Sequence, residues 1–195
     1  MLRFELTQEH PLIELYITVG DDQQNTTIEQ LLGTINVDEV VLHTLRAVGI
    51  SQQVMLTLLV TDEEGIREMN TQYRHQDKPT DVLSFPLLEK PLVDAPADQL
   101  WSLQTGEEAA VEPAQETPPF ITPPGQVMNL GDIVMSWPTI VQQAKEAGHS
   151  SLYELLYLLS HGVLHLVGYD DHTEAGYQAM VRIQEAVLKE IGQKA

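Results

Sequence analysis

Between Ser150 and Gly168 the sequence reads SSLYELLYLLSHGVLHLVG. Leucine, valine and tyrosine recur in it as in a helix that belongs in a core, yet His161 and His165 sit four apart inside it. Any fold this chain adopts has to bury the segment and still give both imidazoles partners, because an unpartnered polar ring among Leu and Val is costly. Residues four apart lie side by side on one helix face. That spacing lets one helix offer two ring nitrogens to a single zinc ion. Gly168 is placed to end the helix in a left-handed cap, and the YDD turn can then return His172 toward the other two. Three neutral imidazoles leave the fourth position of zinc to water, which is the pattern of a catalytic site. A lone HxxxH is a weak pattern, often no more than surface or hydrogen-bonded histidines. Three histidines around a helix stop favour metal binding by His161, His165 and His172.

The flanking sequence supplies a domain around this helix. Its 195 residues suffice for one sizeable core, so a single domain over residues 1–195 is expected. IELYITV (13–19) has strand character. After a polar loop, VDEVVLHTLRAVGI (37–50) repeats its apolar residues at helical spacing and runs into Gly49. VMLTLLVTD (54–62) is a strand-length apolar run, as for a strand covered on both faces. DEEGIREMNTQYR (62–74) opens with acids that suit a helix N-terminus. DVLSFPLL (81–88) is a strand limited by Pro86 or lying at a sheet edge. GDIVMSW (131–137) is a further short strand, and PTIVQQAKEAG (138–148) is a helix started by proline and ended by Gly148. Ser150 can cap the histidine-bearing helix, with Glu154 in its first turn. A last helix covers about residues 173–191. The sum is an α+β domain, a small, mostly mixed sheet packed with about five helices.

Residues 90–126 break this periodicity. EPAQETPPFITPPG is rich in proline and acid, and residues 89–116 hold seven acids and one lysine. The stretch reads as an acidic, Pro-rich insertion, loosely held on the surface, in which Trp101 could dock on the body. The whole chain carries a net charge of -19. Diffuse attraction to a polyanion is therefore excluded, and any nucleic-acid contact must come from a local site. The absence of cysteine rules out disulfides and thiolate metal sites. No apolar run approaches the roughly 20 residues that span a bilayer. MLRFELTQEHPLIELYITV alternates like a strand and lacks the features of a signal peptide. A cytoplasmic protein without a membrane partner is expected.

Three blocks then carry a resemblance. HGVLHLVGYDDH is similar to an HGxLHLxGYDH signature. NTQYRHQDKPTDVLSFP (70–86) is similar to an N-x-x-Y-R-x-x-D-x-P-T-D-V-L-S-F-P block. LGDIVMSWP, followed by a helix and AGHS, is similar to an LGDI strand and a QAxxxGHS segment. In this order the blocks resemble the bacterial YbeY-type endoribonucleases, the rRNA maturation factors, over about residues 54–180, with the acidic insertion between the second and third. The resemblance implies metal-dependent cleavage of single-stranded RNA, especially rRNA, in rRNA maturation and ribosome quality control. It implies one Zn2+ ion, and the ribosome or its associated proteins as further partners.

Arg74 matches an arginine implicated in the family's activity, and its planar fork suits phosphate; a salt bridge to Asp77 or Asp81 is expected besides. One departure concerns the third ligand. The family spaces its histidines H-x3-H-x5-H, whereas this chain reads H-x3-H-x6-H, so Asp171 falls where the third histidine should be. Either the turn has gained one residue and His172 still binds, or Asp171 supplies a carboxylate. A turn absorbs a residue more easily than a site changes charge, so His172 is expected. Thr80 and Ser84 of the PTDVLSF wall could bond a ligand or serve only the strand. Asp170 is a candidate to orient a ligating ring. His149 can sit at a helix start without function, no role is assigned to His75, and His10 and His43 read as ordinary surface residues. A zinc peptidase would carry Glu after the first histidine, where this chain has Gly162. The remaining alternative is a non-catalytic ribosome-associated protein with a structural zinc site.

Overall fold

The computed structural model describes residues 11–20, 22–33, 37–102 and 127–193. Within them one sheet has the strand order β1-β2-β4-β3. Strands β1 (Leu12–Thr18), β2 (Val54–Thr61) and β4 (Met128–Ser136) run parallel, and β3 (Val82–Pro86) pairs antiparallel with β4. Six α-helices accompany it: α1 (Asp22–Gly33), α2 (Val37–Ala47), α3 (Glu63–Arg74), α4 (Trp137–Ala147), α5 (Ser151–Val167) and α6 (Glu174–Glu190). The fold is α+β, with a mixed sheet. No helix among the described residues is long and apolar enough to cross a membrane.

The main core lies between the sheet and α2, α5 and α6. Helix α5 is at its centre: Leu155, Leu156, Leu159, Val163, Leu164, Leu166 and Val167 are all fully buried. At about 1.5–3 kcal/mol for each such side chain, this helix alone contributes a large share of the driving force. Gly162 lets it approach the sheet, because a β-carbon there would lie 2.9 Å from Ile133 Cδ1. The hydroxyls of Thr44 and Ser160, both fully buried, bond each other at 2.9 Å between α2 and α5. Ser150 caps α5 by accepting from the Tyr153 N–H at 3.1 Å.

Two elements differ from their sequence reading. The polar loop before residue 37 contains α1, which buries only Ile28 and Leu32; two apolar anchors one turn apart are too few to stand out as a helical period. In β2 only one face is fully covered, since Val54, Leu56, Leu58 and Val60 are buried while Met55, Thr57 and Leu59 are not. The other face meets a smaller cluster, in which Ile66 of α3 packs on Leu83 and Val134. Pro86 ends an edge strand, as its missing donor requires.

The first part of the acidic stretch is held by the end of α5. Leu92 N–H donates to the Val167 carbonyl, Trp101 N–H to the Gly168 carbonyl and Asp170 N–H to the Gln99 carbonyl. The Trp101 indole N–H reaches the His165 carbonyl at 3.0 Å. Residues 103–126, and His10, lie outside the described residues.

Candidate metal centre and active-site cleft

His161 and His165 project from the last turns of α5 with their Nε2 atoms 3.0 Å apart. Each ring has a neighbour outside the pair. His165 Nδ1 lies 3.0 Å from the Tyr169 carbonyl, which can only accept, so the proton sits on Nδ1 and the lone pair on Nε2. Beside His161 stands Gln184, buried in α6. Its amide nitrogen donates to the Tyr157 carbonyl at 3.2 Å, leaving its oxygen as acceptor for the His161 ring. Burial depresses the basicity of both histidines. His165 is pushed down to about 4 by burial and by the neighbouring His161, and His161 is lowered chiefly by burial. Both are neutral at pH 7 and have lone pairs to give.

The third group in the cluster is Asp171. Its Oδ2 lies 3.7 Å from His161 Nε2 and its Oδ1 3.8 Å from His165 Nε2. These three residues form a set whose donor atoms all lie within 4.8 Å of one another. His172, expected there from sequence, instead bonds Asp170 through Nδ1, and its side chain is 86% exposed. The arrangement is local. Asp170 Oδ1 also accepts the His172 backbone N–H at 3.1 Å, a turn that fastens the ring outward and leaves Asp171 facing the pair. Asp170 therefore orients His172 and neither ring of the pair. Three electron-rich atoms thus converge with no positive group among them. Tetrahedral zinc bonds of about 2.0–2.1 Å separate neighbouring ligand atoms by about 3.3–3.4 Å; here the two nitrogens are 3.0 Å apart and the carboxylate comes within 3.7 Å of one through Oδ2 and 3.8 Å of the other through Oδ1.

The cluster borders a cleft of about 1030 Å³. Arg74 lines it at the end of α3, where the chain leaves the helix through His75 in a left-handed cap (φ 57°) whose N–H bonds the Asn70 carbonyl. Buried Asn70 ties the following loop by donating to the Lys78 carbonyl at 2.8 Å. Neither expected partner holds Arg74. Asp77 pairs with Arg67 at 2.7 Å, which raises the guanidinium and lowers the carboxyl, and Asp81 accepts from Val82 N–H and Gln143 Nε2. Among the described residues Arg74 makes no ion pair. Thr80 donates to Asp81 at 3.1 Å. Ser84, on the cleft side of β3, is 9% exposed, and its hydroxyl has no partner among the described residues. His149 pairs with Glu154 at 3.0 Å, both largely buried, and burial raises that carboxyl. His43 reaches Glu190 at 3.2 Å.

Sequence reasoning missed Gln184 and the Tyr169 carbonyl. A signal for the first exists: Met180, Gln184, Val187 and Leu188 follow the apolar stripe of α6, and glutamine is its polar interruption. The second, a backbone atom, leaves none.

With this geometry in place, comparison with known proteins is direct. A family model described as Endoribonuclease YbeY matches residues 17–192. An Endoribonuclease YbeY of Moorella thermoacetica is 38% identical over 164 residues, covering 84% of this chain and 88% of that protein. One from Desulforamulus reducens is 36% identical over 176 residues, covering 90% and 97%. One from Dehalococcoides mccartyi is 38% identical over 150 residues, covering 76% and 81%.

Proposed function

The chain belongs to the Endoribonuclease YbeY family, and we propose that its cleft is the active site of a zinc-dependent endoribonuclease that cuts single-stranded RNA. Its substrate would be rRNA, cut in the cytoplasm during rRNA maturation and ribosome quality control, with the ribosome or its associated proteins as partners. The convergence of two Nε2 lone pairs and the Asp171 carboxylate beside Arg74 carries this reading. A nitrogen–nitrogen–oxygen donor set suits zinc, and we assign the ion to His161, His165 and Asp171. The chemistry a bound zinc supplies is polarisation of a phosphate oxygen and activation of water.

The protein's own groups do the rest. The Tyr169 carbonyl fixes the His165 ring with Nε2 toward the cluster, and Gln184 stands beside the His161 ring. Low basicity keeps the pair unprotonated at neutral pH. Arg74, without an ion pair among the described residues, can present two N–H donors to the non-bridging oxygens and oppose the charge that grows on them. The direct test is cleavage of an unstructured oligoribonucleotide by purified protein. Wild type should cut it, chelation should stop cleavage, zinc should restore it, and His161→Ala should be inactive in both states. Cleavage that persists undiminished through chelation and in His161→Ala protein would show a contaminating nuclease and leave a structural metal as the better account.

A further inference from the structure

Aromatic rings recur at every fourth residue along α5 and just before it: His149, Tyr153, Tyr157, His161 and His165. That interval puts them on one helix face. Ring centroids are 4.9 Å apart for His149 and Tyr153, 6.4 Å for Tyr153 and Tyr157, and 4.5 Å for His161 and His165. The metal cluster uses the last pair and leaves the tyrosines unexplained. Both pack in part against the core and keep the rest of their surface exposed. Leu155, Leu156, Leu158 and Leu159 around them are buried, whereas Tyr153 and Tyr157 are only half-buried. Tyr157 lines the metal cleft one turn before His161, and Tyr177, 50% exposed on α6, lines it too.

The tyrosines stand in acidic surroundings. Burial first, and then the nearby Glu185 and Glu154 carboxylates, raise the hydroxyls of both Tyr153 and Tyr157 above the usual tyrosine range. Arg74 lies elsewhere on the cleft wall. A phosphate is repelled at the tyrosines and attracted at Arg74, while an uncharged heterocycle is welcome at the rings. Tyr153 and Tyr157 are within 15° of parallel. With centroids 6.4 Å apart they stand one helix turn from each other as two near-parallel rings in succession, of which Tyr157 lines the cleft. Stacking also supplies affinity that does not depend on charge, which a protein of net charge -19 needs.

We propose that Tyr157, with Tyr153 and Tyr177, is a stacking platform for an unpaired nucleobase of the RNA whose phosphate lies at Arg74 and the His161, His165 and Asp171 cluster. The inference rests on the nuclease reading above and gives it a physical basis for single-strand selectivity. A base held in a duplex cannot splay onto a ring, whereas an unpaired one can.

The test is fluorescence anisotropy of a labelled, unstructured oligoribonucleotide with the full chain, chelator present so that nothing is cut. Tyr157→Leu should weaken binding at least about fivefold, and Tyr157→Phe, which keeps the ring, should bind like wild type. A ribose-phosphate oligomer of equal length without bases should bind wild type no better than the intact oligomer binds Tyr157→Leu, and the variant should lose little more. Because Tyr157 also packs against the core, Tyr153→Leu is the second variant, with thermal melting as the check on folding. Undiminished binding by both folded leucine variants, or equal binding of the base-free oligomer by wild type, overturns the platform and leaves the nuclease reading intact. Wild-type protein that neither binds single-stranded RNA nor cuts it with zinc present overturns both.

Discussion

Without a carboxylate partner among the described residues, Arg74 lines the same cleft as two histidines and an aspartate and is disposed to meet an anion. Arg74→Ala should therefore keep its fold and metal content and lose at least about tenfold in RNA cleavage, since a charge-assisted contact is worth roughly 1.5–3 kcal/mol. Arg74→Lys should recover only part, because an ammonium cannot make the two-point contact. Full activity in the alanine variant would remove Arg74 from the mechanism. The proposed third ligand is tested at the same scale. Asp171 lies within 4 Å of both rings, whereas His172 turns to Asp170 and solvent. Elemental analysis should find metal near wild-type stoichiometry in His172→Ala and much less in Asp171→Ala. The reverse pattern would return the assignment to His172. The sequence favours His172, because a turn absorbs one inserted residue more easily than a site changes charge, whereas the Asp170 hydrogen bonds to His172 argue for Asp171.

At the scale of the element, α5 joins core to chemistry. Its helix is readable from local signals: Ser150 as cap, Gly168 as stop, apolar residues all round and two histidines on one face. What that pattern omits is how closely the helix must approach the sheet. A β-carbon at 162 would stand 2.9, 3.0 and 3.2 Å from three carbons of Ile133, itself fixed in β4. Helix propensity alone predicts that Gly162→Ala gains about 1 kcal/mol. Overpacking a filled core costs about 1–3 kcal/mol, and Ile133 is fully buried. A net loss in chemical denaturation is therefore expected, together with weaker zinc binding, because the substitution pushes the turn carrying His161 away from its neighbours. A gain in stability would mean that the contact is slack. Helix α1 shows the opposite limit of legibility, since Ile28 and Leu32 are too few to announce it.

For the whole molecule, the acidic stretch and the histidine pair make separate demands. The sequence marks residues 90–126 by composition, yet composition cannot say where such a segment leaves the body. Backbone bonds from Leu92, Gln99 and Trp101 to the end of α5 tie residues 90–102 to the turn that carries Asp171. Replacing 103–126 by a short Gly/Ser linker should leave melting temperature and metal content near wild type, and loss of folding would make that segment part of the core. Acid should act through the histidines. His165 titrates at about 4 in the folded chain and at 6.5 when unfolded, and His161 is shifted the same way. Above pH 6.5 both states are neutral at these sites and the metal-free protein keeps their full contribution. As pH falls from 6.5 toward 4, the unfolded chain takes up protons that the folded one refuses, and stability declines by something on the order of 1–3 kcal/mol. Urea midpoints of chelated wild type should therefore fall more steeply across this window than those of His165→Gln, which has no imidazole to protonate. Parallel curves for the two proteins would assign the acid sensitivity to the carboxylates instead.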